Sequence, residues 1–255
     1  MDLDFLKNFN IETKEEMSED SKKEILKFLK QIGVDSRFVS FYQDSDNNIK
    51  LYIENLRFSK FSKKRITLFN RYYADIEVVR SSLFQKICHR SSKTLANSLN
   101  PRDRIIIPPL NTKYNELLYI VLEPYSRKYG IEFIQYDENM DYEDYDGLVS
   151  PLNLNSEVNL ILTDIFNGDG IHWNSKYDDV ENLYNLDLTD KNIIFPFINV
   201  PEEWINDFLG ISNEDIIDYE SDDIASSFMG FLTQINPQFK ENVLAASNFL
   251  ENNQK

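Results

Sequence analysis

The chain has 255 residues, 42% of them hydrophobic and 27% charged, with a formal net charge of −16. That composition supports a sizeable core and excludes wholesale disorder, while a single cysteine, Cys88, excludes an internal disulfide and a cysteine-rich zinc site. So acidic a total argues against nucleic acid in general, yet thirteen Lys and Arg stand against four acids between Lys50 and Arg104, which leaves one face suited to a polyanion.

Met1 to Phe5 lacks the basic start and apolar run of a signal peptide, and no run of about 18 apolar residues occurs. Secretion and membrane spanning are therefore disfavoured, and a cytoplasmic location is expected. Residues 1–22 read as a polar, acidic lead-in. Ile25, Leu26, Phe28, Leu29 and Ile32 then recur at helical spacing and Gly33 follows, which predicts an amphipathic helix over about 20–32. Arg37–Tyr42 and Ile49–Leu56 read as a hairpin joined by the turn-forming cluster Asp44 to Asn48. The spacing Asp44, Asp46, Asn48 echoes a calcium loop, but Ile49 stands where such a loop needs glycine and Asn55 where it needs glutamate, so a plain turn is expected.

From Phe58 to Arg71 the cations alternate with Phe58, Phe61 and Phe69, and Tyr72 and Tyr73 follow. Aromatic faces and cations together hold an RNA strand by stacking and phosphate contact; the alternative is aromatics in the core with solvated cations around them. The candidate nucleic-acid contacts are Lys60, Lys63, Lys64, Arg65, Arg71 and Arg90. A helix is predicted over 75–99. Cys88 and His89 are neighbours in it, and neighbours on a helix point about 100° apart, so a structural role is expected in place of a nucleophilic dyad.

Arg104–Ile107 as strand, Pro108–Asn111 as loop, Thr112–Lys128 as helix, Gly130 as stop and Ile131–Tyr136 as strand form a β-loop-α-β unit, the mark of a parallel sheet. Pro124 is expected to kink that helix or end it early. Six carboxylates between Asp137 and Asp146 read as a solvated loop, with no fixed ligand spacing for a metal. Val158–Thr163 is predicted as a buried strand, which would put Asp164 and Asp169 on the functional rim beside Pro108–Lys113. Ile193–Phe195 is a further strand, and helices are expected near 200–209, 222–235 and 239–252, the middle one striped by Phe228, Phe231, Leu232 and Ile235. The expected fold is α/β: a three-layer, largely parallel open sheet with helices on both faces over 101–255, preceded by an α+β extension over 1–100.

The segment Phe195-Pro196-Phe197-Ile198-Asn199-Val200-Pro201-Glu202-Glu203-Trp204-Ile205, then Ser226 to Leu232, Asn236 to Leu244 and Asn248 to Leu250, with the weaker strand-loop-helix-strand at 104–136, resembles the PP-loop superfamily of tRNA sulfur-transfer proteins. The resemblance implies that the phosphate loop lies at Asn111, Thr112 and Lys113. ATP-using members carry Ser-Gly-Gly-x-Asp-Ser there, whose backbone N–H groups admit a pyrophosphate; here Pro108 and Pro109 remove two donors and no glycine is present. The family's paired cysteines are missing too. What the resemblance implies is the degenerate, non-catalytic subunit of a tRNA wobble-uridine thiolation complex, with tRNA and a catalytic subunit as partners and no cofactor, metal or catalytic residue of its own. Two alternatives stand beside it. One is a nucleotide-dependent enzyme with a diverged loop, in which Asn111, Thr112 and Lys113 contact phosphate and Asp164 or Asp169 holds magnesium; the other is an acidic protein-interaction module.

Overall fold

The computed structural model describes residues 19–44, 48–108, 112–137, 140, 144–171, 175–184, 191–211 and 224–254. The chain divides into two compact units, Met1–Ser81 and Ser82–Lys255. This boundary falls earlier than the one near residue 100 expected from the sequence, because the helix before the first strand of the large sheet belongs with that sheet.

The first unit begins with α1 (Glu19–Gln31), whose Ile25 and Leu29 are buried. Gly33 ends it at φ +77, in the left-handed region that glycine occupies without strain. A 3-10 turn over Ser36–Phe38, capped by Asp35, leads into β1 (Val39–Gln43), which pairs antiparallel with β2 (Ile49–Ile53). The expected hairpin is present, with residues 45–47 of its turn outside the described residues. Two helices, α2 (Leu56–Ser59) and α3 (Lys63–Tyr72), cross over to β3 (Ile76–Val79), which lies parallel to β2. The expected helix over 75–99 is thus shortened at its start. Ile76, Val78 and Val79 are β-branched and extend more readily than they coil, and the helix α4 runs over Ser82–Ser98. Leu29, Leu51, Ile53, Phe61 and Phe69 fill this unit's core, with Phe61 edge-on to Phe69 at 5.9 Å.

The second unit is a parallel sheet in the order β5-β4-β6-β7, formed by β4 (Arg104–Ile107), β5 (Glu132–Gln135), β6 (Gly147–Val149) and β7 (Asn192–Ile194). α5 (Thr112–Tyr129) connects β4 to β5 and continues through Pro124. α6 (Leu154–Asn167) and α7 (Ser175–Tyr184) connect β6 to β7. β5 and β7 lie on opposite sides of the β4–β6 pair, so right-handed crossovers place α5 on one face and α6 and α7 on the other. The result is the expected three-layer α/β arrangement. It is completed by α8 (Glu202–Leu209), α9 (Ile224–Ile235) and α10 (Phe239–Gln254).

One strand is corrected. Residues 158–163 are helical, inside α6, and the strand of the sheet is the three-residue β6 that precedes it. Asn153 starts the helix by accepting from Ser156 N–H at 3.0 Å, and Gly168 stops it at φ +83. Val158, Ile161 and Leu162 are buried at i, i+3 and i+4, a spacing that a short apolar run shares with a buried strand. β6 fits tightly against β7: a Cβ at Gly147 would stand 2.4 Å from the Asn192 carbonyl oxygen.

Candidate functional site

The basic segment folds into a depression in the first unit. Asn55 caps α2 by accepting from Phe58 N–H at 3.0 Å, and Lys60, at φ 56, turns the chain out of that helix. Phe61 is fully buried and anchors the turn, so Lys60 and Ser62 are held on either side of it at the surface. α3 starts at Lys63. Ser62 occupies its cap position without a side-chain hydrogen bond, and the positive end of the helix dipole adds to the cations around it. Lys60, Lys63, Arg65 and Arg80, with Leu56 and Ser62, line an open hollow of about 410 Å³.

Arg65 is fixed within it. Its Nη1 donates to the Lys60 carbonyl at 2.6 Å, and its guanidinium lies against Gly33, where a Cβ would meet Nη2 at 2.8 Å. No carboxylate lines the hollow, and among the described residues no ion pair links these four cations to an acid. Lys64 is exposed on α3 outside the lining, and Arg71 stands at the far end of the same helix, about 12 Å away at 1.5 Å per residue. Arg80 was absent from the sequence-derived contacts. It reaches the hollow because β3 runs parallel to β2, a pairing that an expected helix over 75–99 concealed. Of the interleaved aromatics, Phe61 and Phe69 are core, whereas Phe58 and Tyr72 remain exposed, packed on Phe38 at 5.3 Å and Phe28 at 4.9 Å.

Arg90 does something else. It belongs to the second unit, donates to the Asn199 carbonyl at 2.8 Å and to Glu241 at 3.0 Å, and stacks over Trp204 at 4.4 Å. Its guanidinium is thus engaged by α8, α10 and the segment after β7, and it does not line the hollow. The groove beside it mixes Arg90 and Lys93 with Glu241 and Asn248, unlike the uniformly cationic hollow. On the same helix Cys88 is buried and His89 exposed, as expected of neighbours that do not meet.

The other place where ligands settle in open parallel sheets is beyond the carboxyl ends of the strands, where the strand order reverses. Here that is the gap between the exits of β4 and β6, where described residues from the two sides bond to one another. Tyr114, in the first turn of α5, donates its hydroxyl to the Pro151 carbonyl at 2.6 Å and packs edge-on to the fully buried Phe197 at 5.6 Å. Burial drives the Tyr114 phenol far above its ordinary pKa, and the Glu202 carboxylate pushes the same way, so it remains a donor. The Pro108 carbonyl accepts from Gln135, whose own oxygen accepts from Tyr119. Ser150 N–H bonds the Ile194 carbonyl at 2.7 Å, Leu152 N–H the Ser150 hydroxyl at 3.2 Å, and Leu154 N–H the Val200 carbonyl at 3.0 Å.

Asn111 lies outside the described residues; Thr112 opens α5 and Lys113 is exposed. Asp164 and Asp169 are not rim residues. They stand at the far end of α6 and just beyond it, about 15 Å or more along a helix that begins at the rim. Among the described residues no group of three metal-ligating side chains occurs, and no helix is long and apolar enough to cross a membrane.

No protein-family model and no curated protein sequence matches the chain. Among solved structures it is similar to the U34-tRNA thiolase NcsA from Methanococcus maripaludis with its [4Fe-4S] cluster, at 13% identity and a TM-score of 0.46, over 71% of this chain and 83% of that one.

A polar knot gathers around the buried Lys240. Lys240 ion-pairs with Glu203 and donates to Asn155 at 3.0 Å, while Asn155 donates to Glu202 at 3.3 Å. Burial, then the neighbouring Glu203 charge, raises the Glu202 pKa; burial would also raise Glu203, but the hydrogen bond from Lys240 carries it below its ordinary value. The knot ties α6, α8 and α10 together and so fixes the exits of β6 and β7.

Proposed function

We propose that the chain is a non-catalytic, RNA-docking scaffold of the cytoplasm: it holds RNA phosphates in the hollow of Lys60, Lys63, Arg65 and Arg80, with Lys64 and Arg71 extending the track along α3, and it docks a catalytic partner through the acidic second unit. The resemblance of residues 195–205, 226–232, 236–244 and 248–250 to tRNA sulfur-transfer proteins supports tRNA as the RNA and a wobble-uridine thiolation complex as its setting. The observation that carries the reading is the hollow itself: four convergent cations with no carboxylate in the lining, which is the electrostatic footprint of phosphate binding. The non-catalytic half has separate support. A nucleotide needs open backbone donors beyond the strand ends, and after β6 the donors of Ser150, Leu152 and Leu154 are engaged within the fold.

Fluorescence anisotropy of labelled tRNA with the full chain at about 150 mM salt tests the reading. Binding is expected, with an affinity that falls as salt rises because counterions are released. Absence of binding by the wild-type chain would refute the RNA half, and micromolar ATP affinity by calorimetry would refute the non-catalytic half.

A further inference from the structure

Of the stripe expected on α9, Leu232 is half-buried, while Phe228, Phe231 and Ile235 join Ile224 in a row that faces outward. Ile224, Phe228, Phe231 and Ile235 recur at spacings of four, three and four, so they share one side of the helix; Ile224 is 72% exposed, Phe231 58% and Ile235 66%. The opposite side holds the helix in place. Ala225 is fully buried, Met229 packs against the buried cluster that includes Val158, Leu162 and Leu244, and the Ser226 hydroxyl donates to Asn159 at 3.1 Å. α9 therefore cannot roll its outer row inward without losing these contacts. The short turn over 236–238 leads into α10, which packs against α6 and α9 and carries the exposed Phe249 and Leu250. Phe166, at the end of α6, meets Phe228 edge-on at 5.4 Å and extends the patch.

An exposed apolar row of this kind marks an interaction site, and the charge around it says what fits it. α9 has no charged residue, and the only cation of α6, α9 and α10 in the described residues is Lys240, held by Glu203 and Asn155. The acids Asp164, Asp169 and Glu251 lie beside the patch in sequence, and residues 82–255 carry 29 acids against 12 Lys and Arg. A second copy would bring like charges together, and an anionic lipid surface would be repelled.

We propose that this face docks a partner helix whose apolar side is flanked by Lys or Arg. The proposal deepens the partner-docking half of the proposed function and rests on that half, not on RNA. The test titrates the full chain against two labelled synthetic amphipathic helices with the same leucine face, one flanked by lysine and one by glutamate. The lysine-flanked helix is expected to bind at least about tenfold tighter than the other. Phe231→Glu, at an exposed position, should leave melting unchanged and weaken that binding by about tenfold or more, although it adds a negative charge.

Equal binding by wild type and Phe231→Glu would reduce the contact to charge alone and overturn the proposal, as would failure of the wild type to bind the lysine-flanked helix. Sedimentation showing a wild-type dimer that Phe231→Glu dissolves would assign the face to a second copy, and binding to phosphatidylserine vesicles lost in the same variant would assign it to a membrane; either overturns the proposal. The tRNA affinity of Phe231→Glu should equal that of the wild type, so loss of the helix site and loss of the RNA site are read separately.

Discussion

The two units each carry a parallel strand pair with a helical crossover, and they end those crossovers in opposite ways. In the first, the path from β2 to β3 turns at Lys60 and Ser62 and leaves four cations around a hollow with no acid in its lining. In the second, the paths leaving β4, β6 and β7 bond to one another through Tyr114, Pro151, Ser150 and Ile194. Unmet charge at an open surface is stabilised by an incoming anion, whereas a rim whose donors already have partners gains little from a phosphate. Among the described residues, the donors that follow β6 are bonded within the fold, while the cations lining the hollow of the first unit carry no ion pair.

The largest effect expected is on the second unit alone. Ile106 is buried in β4 between β5 and β6, and Ile106→Asp places an unpaired charge there at a cost of several kcal/mol out of a total of about 5–15. The variant should lose the cooperative melting of the sheet, followed by circular dichroism. Unchanged melting would show that β4 does not organise this unit.

Charge reversal in the hollow comes next. Lys60→Glu, Lys63→Glu and Arg80→Glu together should weaken tRNA binding by about tenfold or more and flatten its salt dependence, while melting stays near that of the wild type because exposed charges contribute little. Arg65 is left in place since it pins the Lys60 turn. The same reversal at Lys86, Lys93 and Lys113, all in the second unit, should change binding less. Equal losses from both sets would mean that net charge, and not the hollow, attracts the RNA.

Tyr114→Phe probes the closed rim. It strips the Pro151 carbonyl of a donor at 2.6 Å, which costs about 1–3 kcal/mol for a polar group left without its partner, and it should lower melting by a few degrees with tRNA affinity unchanged. A variant that melts like the wild type would show the bond is dispensable and the rim less fixed than its geometry implies.

What the sequence made legible follows from how local the signals are. α1, α9 and α10 are marked by periodicity and by Gly33 or the Asn236-Pro237 turn, so they were readable, and Ile105 to Ile107 announces a buried strand. β6 is three residues long and gives no periodic signal, and the apolar run 158–163 suits a strand as well as the helix α6 that holds it; Asn153 and Gly168, which cap that helix, are the signals that separate the two. The hollow was visible as a surplus of Lys and Arg, but its membership was not. Arg80 and Arg90 are ten residues apart in a segment of one charge, and only the end of β3 sends the first to the hollow while α4 sends the second to Trp204 and Glu241. Likewise Phe61 and Phe69 alternate with cations for the sake of the core.

The smallest effect belongs to Glu157, and its sign distinguishes burial from pairing in the second unit. The side chain is buried on α6, one carboxylate oxygen has no hydrogen-bond partner, and the other lies 3.8 Å from Lys176. Burial raises its pKa more than Lys176 lowers it. Between the ordinary carboxylate range and the raised value, the folded chain holds a proton that the unfolded chain has released, so stability falls as pH rises through that window and stays lower above it. Glu157→Gln removes the titration. Wild-type melting, measured relative to this variant, should therefore rise as pH is lowered from about 7 to about 4, by no more than a few degrees because Lys176 loses its partner in the variant and offsets part of the gain at neutral pH. The opposite trend, with the wild type losing ground on acidification, would mean that the Lys176 pair outweighs burial and that the carboxylate is held ionised in the fold.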